Sequence, residues 1–222
     1  MTATIQKGYK GLGMEGVLAN WYAKNTARDL SRFRTASHAI AERVPAGASV
    51  LEVAPGPGYL AIAIAKSGRK VTTLDISRTF VKIAQENAQK AGVTMDIRHG
   101  NASAMPFADS SFDFVVCMAA FKNFSDPLGA INEIYRVLKP GGQASIYDLR
   151  KDASIAEINA GVENMQLSAF DALVTRLTFR TLLLKRAYTR EALEQMAAAS
   201  RFGRCEIVQD GIGFDLRLVK DL

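Results

Sequence analysis

The stretch Val50 to Ala65, VLEVAPGPGYLAIAIA, constrains this chain more than any other. Four strand-like residues, Val50 to Val53, carry a single acid, Glu52. A turn of small residues follows, Ala54-Pro55-Gly56-Pro57-Gly58, and then an alanine-rich helical pattern from Tyr59 to Lys66 that stops at Gly68. Glycines in such a turn permit unusual backbone angles and let a ligand approach the main chain. The helix that follows offers unpaired N–H groups to an anionic group. Gly56, Gly58 and Ala61 satisfy the fingerprint G-x-G-x-x-G/A, and Asp75 lies near the spacing of a ribose-binding acid. The unit alone is ambiguous, so the rest of the chain has to decide.

Taken in order, residues 1–16 hold four glycines and no periodicity, which reads as a mobile arm. Val17 to Arg43 is helical in pattern and is ended by Pro45 and Gly47. Ser49 to Val53 is the first strand. VTTLD, Val71 to Asp75, is the second, with Asp75 read as a strand-end acid outside the core. Ser77 caps a helix that runs to Lys90 and is stopped by Gly92. Val93 to Arg98 is a third strand. The apolar run Phe112 to Met118 suits a strand buried on both faces. Asp126-Pro127 opens a helix that Lys139-Pro140-Gly141-Gly142 closes, and Gln143 to Leu149 is strand five. Residues 152–186 read as a mainly helical insertion. A last helix, capped by Thr189, precedes two strands, Arg204 to Asp210 and Ile212 to Val219, separated by the tight-turn dipeptide Asp210-Gly211. The alternation gives an α/β fold with a mostly parallel sheet, one reversed strand and helices on both faces.

With 222 residues and 48% hydrophobic content, a single domain can bury its own core. No apolar run is long enough to span a membrane. The N-terminal residues lack an apolar signal core, and Cys117 and Cys205 show neither ligand nor redox spacing. A cytoplasmic protein without a metal is the expectation. The formal charge of +6 comes from scattered lysines and arginines without interleaved aromatics. It reads as a solvated surface rather than a nucleic-acid site.

Five segments in order resemble the class I S-adenosylmethionine-dependent methyltransferases, in the branch of the ubiquinone/menaquinone C-methyltransferases: VLEVAPGPG at 50–58, TLDIS at 73–77, GNASAMPF at 100–107, SFDFVVC at 111–117 and EIYRVLKPGG at 133–142. The likeness covers about Ser49 to Leu149. It implies a Rossmann-like fold with a seven-stranded sheet, S-adenosyl-L-methionine as cofactor and S-adenosyl-L-homocysteine as product. The first motif departs from the family pattern at Ala54, where a glycine is usual; the extra methyl is tolerable if φ is negative there. Asn101 stands where an Asp is common, and its carbonyl can still accept from an adenine amino group.

Carried over residue by residue, the resemblance implies that Asp75 takes the ribose hydroxyls, and that Glu52 holds the methionine amino group through water or only orients the turn. Ala54, Gly56 and Gly58 give backbone contact, and Ile76, Asn101 and Ala102 meet the adenine. Cys117 ends strand four beside the sulfonium, or is buried strand core. Tyr22 lies on an N-terminal lid helix, or is aromatic core. For chemistry at the ends of strands four and five the candidates are Asp148, as base or substrate anchor, with Lys122 and Asn123 in place of the family's Arg-Asn pair. His38 and His99 read as structural or exposed.

The expected function is methyl transfer to a small molecule through a nitrogen, oxygen or carbon nucleophile, with the 152–186 insertion and residues 1–45 covering the substrate side. Leu167, Phe170, Leu173, Leu177, Phe179, Leu182 and Leu183 would make that insertion an apolar lid or a homodimer face. The alternatives are an RNA or nucleotide methyltransferase, a cofactor-binding protein without turnover, and attack at another carbon of the sulfonium.

Overall fold

A computed structural model of the protein describes residues 8–10, 13–28, 30–163, 173, 176–177 and 183–222. Seven strands form one sheet: β1 Ser49–Val53, β2 Lys70–Asp75, β3 Asp96–His99, β4 Phe112–Met118, β5 Leu138–Leu149, β6 Glu206–Asp210 and β7 Gly213–Val219. Their order is β3-β2-β1-β4-β5-β7-β6. The first five strands pair in parallel. β7 runs antiparallel to both β5 and β6. The chain winds outward from β1 through β2 to β3, then returns to β4 on the other side of β1. That reversal opens a crevice at the carboxyl ends of β1 and β4, where open α/β sheets bind ligands.

The flanking helices are α1 Gly16–Thr26, α2 Ser31–Arg43, α3 Tyr59–Lys66, α4 Arg78–Ala91, α5 Pro127–Val137, α6 Ile155–Glu163 and α7 Arg190–Ala199. Alternating residues of the central strands face two separate cores. Val50, Phe114 and Val116 pack with Ile40, Leu60 and Ile64 of α2 and α3. Leu51, Val53, Val115 and Cys117 pack on the opposite face with Ile131 and Ile134 of α5 and Leu193 of α7. Both faces of β1 and β4 are therefore covered, as their mainly apolar runs require.

Local chemistry sets the helix ends. The Ser77 hydroxyl accepts from Phe80 N at 3.0 Å to start α4, and Gly92, at φ 68°, ends it. Asp126 accepts from Gly129 N at 2.8 Å ahead of Pro127 in the first turn of α5. Thr189 accepts from Ala192 N at 3.2 Å to cap α7.

Three expectations change. The single helix over Val17 to Arg43 is two helices, α1 and α2. Asn25 and Thr26, poor helix formers, end the first, and Asn25 Nδ2 bonds back to Trp21 O at 2.9 Å. Strand β5 begins at Leu138 rather than Gln143, with a register shift opposite Phe112 and Phe114 where the Pro-Gly-Gly segment enters. The described part of the N-terminal arm is tied down: Tyr9 bridges Phe124, and Lys10 N donates to Asn123 O at 2.7 Å.

Of the 152–186 insertion, α6 and a helical turn at Leu184–Arg186 are described. Ile158, Val162 and Leu184 pack there against Leu149, Leu183 and Ile212. Leu167, Phe170, Phe179 and Leu182 lie outside the described residues, and Leu173 and Leu177 are exposed. No described helix is long and apolar enough to cross a membrane.

Gly58 leads into α3 at φ 81°, and a Cβ there would stand 3.1 Å from the Ala84 side chain of α4. Left-handed backbone costs an L-residue about 1–2 kcal/mol. Gly58→Ala should therefore lower stability by roughly 1–3 kcal/mol in urea unfolding, strain and contact together. An unchanged midpoint would contradict this packing.

Candidate active site

The carboxyl ends of β1 and β2 are joined through one side chain. Asp75, 5% exposed, accepts from Gly56 N at 3.0 Å and from Ser77 N at 2.8 Å. It thus holds the glycine turn with one oxygen and the start of α4 with the other. The reading of Asp75 as a strand-end acid outside the core is corrected. Each carboxylate oxygen still has acceptor capacity beyond these bonds. Burial pushes its carboxyl up to about 6, against which the Ser77 and Gly56 N–H groups act.

Glu52 lies one strand away and is 2% exposed. Its Oε2 is buried without a hydrogen-bond partner among the described residues. Burial raises its carboxyl to about 8, a bond from the Ala61 backbone offsets part of the rise, and the nearby Asp75 charge adds to it. A buried acceptor without a donor costs about 1–3 kcal/mol, more for a charged group. Two acids, an orphaned oxygen and a turn of backbone N–H groups fit a ligand bearing hydroxyls and an ammonium.

Ala54 corrects an expectation. Its φ is 55°, not negative, in the left-handed region next to Gly56 at 55°. Ala119, at the end of β4, has φ 61°. Both strand ends that flank the crevice therefore turn sharply through alanines. At Gly56 an added Cβ would meet nothing closer than 3.9 Å, with Phe80 Cζ and Tyr22 Cε1 at that distance. The turn is open to a ligand with an aromatic roof. Tyr22 of α1 and Phe80 of α4 make that roof, edge to face with centroids 5.9 Å apart. Tyr22 is half-buried beside the turn.

Beyond β2, Ile76 is exposed at the surface, and Asn101 and Ala102 follow β3. The Asn101 carbonyl accepts from both Ser103 N, at 3.1 Å, and Ser103 Oγ, at 3.0 Å. Both lone pairs are then occupied, so this side chain presents its amide N–H₂ rather than the expected acceptor. The strap Gly8–Lys10 crosses here: a Cβ on Gly8 would stand 2.4 Å from Ile76 Cδ1 and 3.0 Å from Asn101 Nδ2. His99 ends β3 opposite Asp75, its Nε2 3.1 Å from Ile76 O.

At the ends of β4 and β5, Asp148 is not placed as a free base. Its Oδ1 accepts from Lys122 Nζ at 2.7 Å and Leu149 N at 2.8 Å, and its Oδ2 from Lys122 N at 2.8 Å. The two side chains are 6% and 1% exposed. Lys122 Nζ also donates to Ala119 O at 2.9 Å. The pair staples the loop after β4 to β5 and fixes the turn at Ala119. Asn123 does face outward, its Oδ1 accepting from Arg186 at 3.4 Å. Cys117 is core: it is 1% exposed, pairs with Val53 and Ile146, and burial holds its thiol well above the ordinary range.

Residues outside the motifs complete the site. Tyr9 is half-buried, with Asp75, Tyr22 and Arg186 all close enough to act on its hydroxyl. Burial raises its pKa, Arg186 opposes, and Tyr22 and Asp75 add to the rise. Glu15 accepts from Arg78 N at 2.9 Å and Thr79 N at 3.0 Å, fastening the arm to the start of α4. Tyr188 packs on Phe121 with centroids 5.6 Å apart. No periodicity or motif marks these residues in the sequence; they come together through the strap.

Removing one partner of a buried ion pair leaves a charge uncompensated and costs about 3–5 kcal/mol. Lys122→Met should lose that much stability, and adding Asp148→Asn should restore part of it. A loss below about 1 kcal/mol in the single variant would place the pair in solvent.

The family model described as a methyltransferase domain matches residues 51–146. A demethylmenaquinone methyltransferase of Listeria welshimeri is 37% identical over 110 residues, 48% of this chain and 47% of that protein. The Bacillus velezensis protein of that name is 38% identical over 104 residues, 45% of each. The aligned part of the chain thus spans about half the length of the curated relatives it matches. Among solved structures, an Aquifex aeolicus SAM-dependent methyltransferase superposes with a TM-score of 0.65 at 18% identity, over 86% of this chain and 98% of that one. The Pyrococcus horikoshii protein PH0226 gives 0.65 at 18% identity, over 86% and 90%. These likenesses speak for the fold, and the sheet with its reversed β7 agrees with them. Residues 51–146, which carry the glycine turn, Asp75, Asn101 and Lys122, are the part of the chain that matches the methyltransferase domain model.

Proposed function

We propose that this protein transfers a methyl group from S-adenosylmethionine to a small-molecule acceptor. The observation that carries the reading is the set of groups at the carboxyl ends of β1 and β2, beside the crevice: an unpartnered Glu52 oxygen, Asp75 and an open Gly56 turn, all within the matched family segment. In this reading Asp75 takes the ribose hydroxyls with its spare acceptor capacity. Glu52 Oε2 takes the amino group, and the Gly56–Gly58 turn faces the carboxylate end. Ile76, Ala102 and the Asn101 amide frame the adenine, and Tyr22 covers the turn. When bound, S-adenosylmethionine supplies an electrophilic methyl group on a sulfonium.

The rest is alignment and exclusion of water, for which the chain supplies rigid strand ends and a strap. The carboxylate named for this rim, Asp148, is saturated by three donors. A raised pKa keeps the Tyr9 hydroxyl protonated. The acceptor in this reading enters already nucleophilic, and Lys122 and Asp148 position the loop that borders it. Names of the curated relatives, which are quinone methyltransferases, support a small-molecule acceptor over a polynucleotide.

Calorimetry is the test. The protein should bind S-adenosylhomocysteine in preference to NAD. Asp75→Asn should weaken that binding about 10- to 100-fold, the worth of charge-assisted hydrogen bonds to two hydroxyls. It should also lower stability, since an amide cannot accept from Gly56 N and Ser77 N with both of its atoms. Tighter binding of NAD, or unaltered affinity in Asp75→Asn, would overturn the assignment.

A further inference from the structure

The rim beside the proposed reaction site gathers positive charge. Lys10 Nζ donates to the Tyr188 hydroxyl at 2.9 Å. Arg186 Nη1 reaches Lys10 O at 3.3 Å and Asn123 Oδ1 at 3.4 Å. Tyr188 is tied to the end of β5 by its bridge to Arg150, and Lys10 to the loop after β4 by its bond to Asn123 O. Three segments far apart in sequence thus bring two cations to one place.

Among the described residues, neither cation has a carboxylate partner. Several other arginines do have such a partner: Arg98 with Asp96, Arg136 with Glu133, Arg150 with Glu157, Arg204 with Asp221, Arg217 with Asp215. Asp148, at the end of β5, is already paired with Lys122. Two like charges drawn together by neutral acceptors repel each other, and the arrangement is relieved by an anion between them. Lys10 retains ammonium protons, and Arg186 retains Nε and Nη2, for such a group. Tyr188, half-buried beside them, packs on the buried Phe121, which in turn meets Phe124.

We infer that the methyl acceptor carries an oxyanion, a carboxylate or phosphate ester, seated on Lys10 and Arg186, with an aromatic or apolar body against Tyr188. This rests on the methyl-transfer reading, since it is the position of the rim beside that site which makes the ligand an acceptor. The strap that carries Lys10 also lies against Ile76 and Asn101, at the edge proposed for the adenine.

The test uses the full chain with S-adenosylhomocysteine present, and benzoate, phenyl phosphate and benzamide as probes, followed by ligand-observed magnetic resonance. Benzoate or phenyl phosphate should bind at least about fivefold tighter than benzamide, as charge-assisted bonds exceed neutral ones. Which of the two is preferred distinguishes carboxylate from phosphate. The preference should disappear in Lys10→Met and in Arg186→Met, both surface changes, while S-adenosylhomocysteine affinity stays within about threefold. No preference for the anions in the wild-type chain, or a preference that survives both substitutions, overturns the inference. The methyl-transfer reading is judged separately, by whether S-adenosylhomocysteine binds at all.

Discussion

Everything at the candidate site hangs on the Asp75 carboxylate. It spans from the turn after β1 to the start of α4, so the glycine turn, the cap of α4 and the β1–β2 edge are held by one group. Ser77, fixed on one side by Asp75, uses its hydroxyl to cap Phe80 N and to donate to Met14 O at 2.6 Å. Phe80 in turn meets Tyr22 over the turn. A single buried acid therefore sets the turn, the lid helix and the arm in register.

Two kinds of buried acid occupy this edge of the sheet, and they are solved differently. Asp148 is given a cation and backbone donors. Glu52 and Asp75 are given no cation among the described residues, and burial raises both, to about 8 and about 6. Their neutral forms are favoured by the fold. The resulting stability is present in full below the ordinary carboxylate range, and it is lost as pH rises through the folded values. The site is stable at neutral pH at a cost that a bound cation would remove. That is the physical content of an unpartnered oxygen on Glu52.

Much of this was legible in the sequence. The strand–turn–helix at Val50 to Ala65, the acid at Asp75, the caps Ser77, Asp126 and Thr189 and the Asp210-Gly211 hairpin act through local chemistry, and each lies where its spacing puts it. What sequence could not show is how side chains divide their bonds. Asp148 reads as an available acid because nothing local reveals that Lys122 and two backbone N–H groups already occupy it. Ala54 stands where a glycine is usual, yet its residue type alone points to a negative φ, and the turn takes 55°. Tyr9, Lys10, Arg186 and Tyr188 meet only because the strap crosses the sheet's carboxyl edge.

The central claim is that Glu52 keeps an oxygen for the ammonium of the cofactor. Calorimetry of S-adenosylhomocysteine binding at pH 7, in buffers of different ionisation enthalpy, counts the protons exchanged. With its carboxyl at about 8 before binding, Glu52 is mostly protonated, and an ammonium beside it favours the ionised form. The account predicts release of on the order of one proton per site, abolished in Glu52→Gln. Binding without proton release, or an equal release in Glu52→Gln, would contradict it.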